Sequence, residues 1–177
     1  MHHKKISVLA AAIFFISSGL FATGAGVQAG VNPGLYFNDN SVSLEKVTGN
    51  LYGTMRFSRV PLVVGFGFEA GKLFSDFSYG LSGFADYYAL DIQLKNTFNF
   101  YSGLGAGASL LTPDFENYTV SANGRLFIGL NRLFYDNYLE LFVQQNLIPC
   151  YVQPLKNGSK GAFMLDFPLE AGIRMHF

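Results

Sequence analysis

Apolar and polar residues alternate along eight stretches of the chain, a pattern that predicts β-strands with one apolar and one polar face. The final stretch shows it clearly, because Leu169, Ala171, Ile173, Met175 and Phe177 are separated by polar or small residues. The predicted strands span residues 24–37, 48–58, 62–71, 85–95, 98–110, 118–130, 138–147 and 161–177. Longer and shorter connections alternate between them. The sequence therefore predicts an all-β, eight-stranded antiparallel up-and-down barrel.

Composition favours a barrel that spans a membrane. Only 14% of residues are charged, whereas 19 are Phe and 10 are Tyr. After the first 25 residues, no run approaches the roughly 20 apolar residues that a membrane helix requires. A transmembrane barrel reconciles these facts, because only every second residue of each strand faces lipid. A soluble sandwich, or a lipocalin-like barrel with the same pattern turned inside out, is the alternative.

The polar face carries the residues expected to fill the barrel. Its many glycines suit a narrow, crowded interior, and two aromatic residues, Phe127 and Phe142, interrupt it. Unpaired charges would be prohibitive inside so small a barrel, so a paired network that plugs the lumen is expected. The predicted network consists of Arg56, Glu69, Asp91, Lys95, Arg125, Glu140, Asp166, Glu170 and Arg174.

The amino-terminal segment has the features of a signal peptide. Basic residues precede an apolar stretch at 6–16, and small residues follow, so cleavage is expected after Ala22 or Ala25. The domain prediction is therefore a signal peptide at 1–22 and one barrel at 23–177. Cys150 is the only cysteine, which excludes an internal disulfide. The near-neutral chain has no basic field for nucleic acid, and no cofactor motif is present.

The carboxy-terminus resembles the outer-membrane assembly signal, with Glu170, Gly172, Met175 and Phe177 at its polar, glycine and two hydrophobic places. In size and strand plan the chain resembles the small OmpA-, OmpX- and OmpW-type barrels. The resemblance implies a bacterial outer-membrane protein with both termini in the periplasm. It also implies contact with outer-membrane lipid and lipopolysaccharide, recognition by the barrel-assembly machinery and a monomeric state.

Enzymatic function is not expected. His176 is the only histidine after the signal segment, and its predicted place at the periplasmic rim is the wrong end for enzymes resembling outer-membrane acyltransferases, deacylases or proteases. A structural or limited small-solute transport role is predicted, with an apolar solute as one option. The alternative is a surface interaction protein that binds partners through loops at 38–46, 72–82 and 148–160.

Two prolines suggest a weak point in the barrel wall. Pro33 and Pro168 lie at similar heights on the first and eighth strands, which must pair to close the barrel. Proline cannot donate a hydrogen bond to the ladder. In barrels resembling OmpW, sideways openings release apolar molecules into the membrane. The pair is therefore a hypothetical lateral gate, and two strand-end prolines or bulges are the alternative.

Overall fold

A computed structural model describes residues 23–38, 41–57, 60–95, 98–155 and 160–177. The predicted signal peptide at 1–22 lies outside these ranges. Within them, no helix is long and apolar enough to cross a membrane. The described residues form the strands β1 (Gly24–Asn38), β2 (Ser41–Phe57), β3 (Leu62–Leu73), β4 (Asp76–Lys95), β5 (Phe98–Thr112), β6 (Thr119–Phe134), β7 (Leu139–Pro154), β8 (Ala162–Asp166) and β9 (Leu169–His176).

These strands form one closed antiparallel sheet. Each of β1 to β7 pairs with the next along the chain, and both β8 and β9 pair with β7 on one side and β1 on the other. Because β8 and β9 together occupy one place in the ring, the barrel has eight strand positions. The predicted fold class is confirmed. The predicted eighth strand, 161–177, is interrupted at Phe167 and Pro168.

The polar faces point inward and the apolar faces point outward. Glu140 is completely buried in the lumen, whereas Phe68 on the outer wall is 67% exposed. Leu51, Leu126 and Ile173 are also exposed on the outer face. This arrangement is the reverse of a lipocalin-like soluble barrel, which buries its apolar face. The predicted orientation of the two faces is therefore confirmed.

The strands are longer than predicted at the end of the barrel opposite Thr23 and Phe177, the first and last described residues, whose end is called the terminal end. Residues 41–46 belong to β2, 76–82 to β4 and 148–154 to β7, although the sequence analysis placed all of them in loops. Polar composition suggested a loop there, but extended backbone pairing continues through these residues. The β3–β4 connection is only the turn at Phe74 and Ser75. The prediction of long loops is therefore wrong for much of this end.

The proline seam is bridged by hydrogen bonds. The backbone amide of Phe167 donates to the Pro33 carbonyl at 2.8 Å, and β1 pairs with β9 on one side of this bond and with β8 on the other. The Asn146 amide donates to the Pro168 carbonyl at 2.9 Å, which ties the interruption to β7. This conformation contains no opening between Pro33 and Pro168, so the lateral-gate hypothesis gains no support from it.

An outward-facing glutamine completes the wall beside the interruption. The Gln145 side-chain amide donates to the carbonyls of Phe167, Pro168 and Asn146 at 3.2, 3.1 and 3.1 Å. A carbonyl without a donor is costly in an apolar environment, where water cannot replace the missing ladder bond. Gln145 therefore supplies a donor to the Phe167 carbonyl at the break in the eighth strand, and adds a second donor to the Pro168 carbonyl.

We expect Gln145→Leu to destabilise the folded barrel by about 1–3 kcal/mol, because it removes these donors. Reversible urea unfolding in lipid vesicles would measure the change. Leu147 lies on the same outer face, and Leu147→Met nearly conserves the side-chain volume. This substitution is the matched control and should change the free energy of unfolding very little. Native stability of the Gln145→Leu variant would contradict the assigned role.

Candidate functional site

The lumen near the chain termini is organised around Glu140. Its carboxylate accepts a hydrogen bond from Arg174 at 2.9 Å and one from Asn131 at 2.7 Å. His176 Nε2 lies 2.9 Å from it, and Arg56 Nη1 lies 3.5 Å away. Strand β7 brings Glu140 to this position because it pairs directly with Arg174 on β9. These five residues form the Glu140 cluster, in which one buried carboxylate contacts two arginines.

An aromatic layer lies deeper in the lumen, beyond the Glu140 cluster. Phe127 and Phe142, the two interruptions of the polar face, are buried here with Val63 and other aromatic rings. Each ring faces a glycine directly across its strand pair, and a Cβ atom on Gly65, Gly129 or Gly172 would overlap the ring beside it. The cross-strand pairs are Tyr52–Gly67, Phe84–Gly65, Tyr88–Gly103, Phe127–Gly103, Tyr101–Gly129 and Phe142–Gly172. The inward glycines therefore provide the space that the aromatic rings occupy.

A second charged cluster surrounds Arg125. Its guanidinium binds Asp86 through two hydrogen bonds, at 2.8 and 3.2 Å, and reaches Glu170 at 3.2 Å. The Glu170 carboxylate also accepts hydrogen bonds from Gln28 at 2.8 Å and Asn146 at 2.7 Å. These five residues form the Arg125 cluster, and all are buried. One arginine and several amide donors thus hold two carboxylates within the barrel.

The third cluster surrounds Lys46, towards the end opposite the termini. The Lys46 ammonium lies 2.8 Å from Glu69 and 2.9 Å from Asp166. The Thr48 hydroxyl donates to Glu69 at 2.6 Å, and the Asn32 amide donates to Asp166 at 3.2 Å. These residues form the Lys46 cluster. An apolar group that includes Leu111, Ile148 and Met164 fills another part of the interior.

Six of the nine predicted network residues lie fully inside: Glu69, Arg125, Glu140, Asp166, Glu170 and Arg174. Arg56 and Asp91 pair at 3.2 Å near the terminal mouth, where their side chains are 20% and 40% exposed. The Lys95 side chain lies outside the described part of the structure. Six predicted residues therefore lie in the interior and are paired there, whereas Asp91 lies at the rim.

Lys46 and Asp86 join the buried charges although the predicted network does not include them. Lys46 falls in the predicted loop at 38–46, and Asp86 falls in the predicted strand at 85–95 without a place in the predicted network. A register irregularity between Tyr88 and Leu90 reverses the faces of β4, so Asp86 and Tyr88 point inward while Leu90 points outward. The inward set Ser82, Phe84, Asp86 and Tyr88 does alternate, and that alternation was the available signal.

Among the described residues, the clusters leave no wide path through the barrel. The cavity between the Arg125 and Lys46 clusters has a volume of about 20 Å³, which is room for one or two water molecules at most. Larger cavities of about 560 and 350 Å³ lie at the terminal mouth and at the opposite mouth. The arrangement is a plugged lumen between two open mouths.

The residues of the predicted assembly signal divide between the two faces. Glu170 is buried in the Arg125 cluster, and Gly172 faces the ring of Phe142 inside the barrel. Met175 and Phe177 are exposed on the outside, at 47% and 73%. Recognition of these residues by the assembly machinery stays a prediction.

No protein-family model and no curated protein matches the chain. Its fold is similar to that of Neisserial surface protein A (NspA), with 13% identity, coverage of 86% of this chain and 97% of that one, and a TM-score of 0.56. Ail, the attachment invasion locus protein of Yersinia pestis, is a looser match at 11% identity, 87% and 99% coverage and a TM-score of 0.43. Ail in complex with the heparin analogue sucrose octasulfate has 14% identity, coverage of 86% of this chain and 98% of that one, and a TM-score of 0.42. The likeness to NspA confirms, at the level of the fold, the predicted resemblance to small outer-membrane barrels.

We expect Glu140→Gln to lower the free energy of unfolding by about 3–5 kcal/mol, because it leaves Arg174 buried without its counter-charge. Asp91→Asn is the matched control, since it removes the exposed partner of Arg56 and should cost less than about 1 kcal/mol. Urea unfolding of both variants in lipid vesicles would test the difference. Equal effects of the two substitutions would contradict a central role for Glu140.

Proposed function

We propose that the protein is a non-enzymatic β-barrel of the bacterial outer membrane, with a structural role and a lumen that does not serve as a diffusion channel. The observation that carries this proposal is the inside-out arrangement, in which buried ionic clusters fill the lumen and apolar side chains cover the outer wall. Such a surface is stable in lipid and prone to aggregation in water.

Residues near the terminal mouth support placement in a membrane. The Arg132 guanidinium lies over the rings of Phe98 and Phe134, 5.0 and 4.7 Å from their centroids. Aromatic side chains and long cationic side chains are both favoured where the hydrocarbon core meets the polar headgroups. In our proposal this mouth faces the periplasm together with both termini, and Arg132 contacts lipid phosphate.

The plugged lumen argues for a structural role over transport. The interior cavity holds one or two waters at most, and the ion pairs beside it would have to separate before a solute could pass. Separation of a buried pair is costly because both charges lose their compensation. An apolar solute would meet three charged clusters along the axis. The seam between Pro33 and Pro168 offers it no side exit in this conformation.

A surface interaction role is the second candidate, and the mouth opposite the termini favours it. Phe115 is 67% exposed at a turn in which its amide donates to Thr112 Oγ1 at 2.9 Å. Its ring packs edge-on against Tyr79, with centroids 5.3 Å apart. An exposed aromatic side chain held by these contacts, next to a cavity of about 350 Å³ that the neighbouring Asp114 lines, suits recognition of a partner. Binding of a host ligand by intact cells would favour this role.

We expect the folded protein to insert into planar lipid bilayers without producing steady ionic conductance, because the clusters block the lumen. A general porin in the same bilayer is the positive control, and heat-modifiable gel mobility would verify that the sample is folded. Stable open channels would contradict the plugged, structural role. Recovery from a soluble periplasmic fraction without heat-modifiable mobility would contradict the membrane barrel itself.

A further inference from the structure

The small cavity between the Arg125 and Lys46 clusters has an excess of negative charge. We call this cavity the central chamber, and its lining includes residues of both clusters. Among the described residues of these clusters, two positive groups, Lys46 and Arg125, face four carboxylates, which gives a formal charge of −2. The four carboxylates are Glu69, Asp86, Asp166 and Glu170, and each is at most 4% exposed. A net charge buried this deeply requires compensation.

Four oxygen atoms on residues that line the chamber lack a hydrogen-bond donor. One is Asn123 Oδ1 on β6, and the other three belong to the neighbouring strands β1, β2 and β8. Asn32 Oδ1, Asn50 Oδ1 and Asp166 Oδ1 are buried and have no partner within the described part of the chain. Asn32 pairs with Thr48, so Asn50 is its diagonal neighbour on the adjacent strand. Asp166 lies across the seam and accepts a hydrogen bond from Asn32 on its other oxygen. A buried acceptor without a donor is costly, so these atoms need a positive or hydrogen-donating partner.

We propose that the central chamber binds one small monovalent cation through the oxygens of Asn32, Asn50 and Asp166. Amide and carboxylate oxygens are the ligands that hard cations prefer, and neutral carbonyl oxygens replace the hydration shell of monovalent ions. The chamber, with a volume of about 20 Å³, has room for a single small ion. One bound ion would reduce the formal charge from −2 to −1.

A divalent ion fits this chamber poorly. Among the described residues, no group of three or more His, Cys, Asp or Glu side chains is arranged to hold a metal ion. Calcium requires six to eight oxygen ligands, and magnesium retains several waters, for which the chamber has no room. The Lys46 ammonium beside the chamber would also repel a divalent ion more strongly than a monovalent one.

The hydrogen-bond donors around these carboxylates favour their ionised form over their protonated form. Glu69 accepts from Thr48, Asp86 accepts two hydrogen bonds from Arg125, and Glu170 accepts from Gln28 and Asn146. Hydrogen bonds donated to a carboxylate stabilise its charged form. Protonation of an oxygen that already accepts a hydrogen bond would disturb these contacts, whereas a cation leaves them in place.

Thermal unfolding of the folded protein in detergent would test the proposal. Sodium, potassium, ammonium or rubidium chloride would be titrated against choline chloride at constant ionic strength. We expect at least one small cation to raise the Tm in a saturable way, because it binds the folded state only. Choline is too large for the chamber and should give no rise. A Tm that is the same in all five salts would overturn the proposal.

Two substitutions test whether the cation-dependent rise in Tm originates at the central chamber. Asn50→Leu should abolish the cation-dependent rise in Tm, whereas Asn131→Leu should retain it. Asn131 is a matched control because it is also a buried asparagine with an unpartnered Oδ1, but it belongs to the Glu140 cluster. Loss of the rise in both variants, or in neither, would contradict binding at the chamber.

Crystals of the native chain grown with rubidium provide a measurement that does not depend on any variant. An anomalous peak within the chamber, close to Asn32, Asn50 and Asp166, would support the site. Full-occupancy density for water alone at saturating rubidium would overturn it.

Discussion

Pairing of charges inside a narrow barrel is the constraint on which the rest of the structure depends. The lumen of eight strands is too small for solvent to screen ions, so each buried cation must reach carboxylates on neighbouring strands. Arg174 reaches Glu140, Arg125 reaches Asp86 and Glu170, and Lys46 reaches Glu69 and Asp166. These contacts cross strand pairs far apart in sequence. They therefore stabilise the closed ring and at the same time close its lumen.

The narrow, closed wall of the barrel also explains the inward glycines and the outward-facing Gln145. Aromatic rings fill the lumen between the charged clusters only because glycines face them across the strand pairs, as Gly129 faces Tyr101. On the outer face the requirement is different, since backbone acceptors must be satisfied without water. Gln145 satisfies the carbonyls at the interruption of the eighth strand. The wall is therefore closed at the place where its prolines suggested an opening.

The alternation of apolar and polar residues was sufficient to predict the barrel and most of its interior, because successive side chains of a strand point to opposite faces. Asp86 was missed because the irregularity after Tyr88 changes parity within β4, so that a face assigned from Leu90 and the residues after it has the wrong parity at Asp86. Lys46 was also missed, because the sequence of β2 beyond the apolar band is polar and resembles that of a loop. The partners of each charge depend on register across the ring, which one sequence does not reveal. Gln145 could not be distinguished from any other outward glutamine.

Single-tryptophan fluorescence in vesicles that contain brominated lipid is the most direct test of the inside-out arrangement. The chain has no native tryptophan, so each variant reports one position. Leu126 lies on the outer face and Phe127 lies inside, at adjacent places on β6. The account predicts strong quenching for Leu126→Trp and weak quenching for Phe127→Trp. Equal quenching, or stronger quenching for Phe127→Trp, would contradict it.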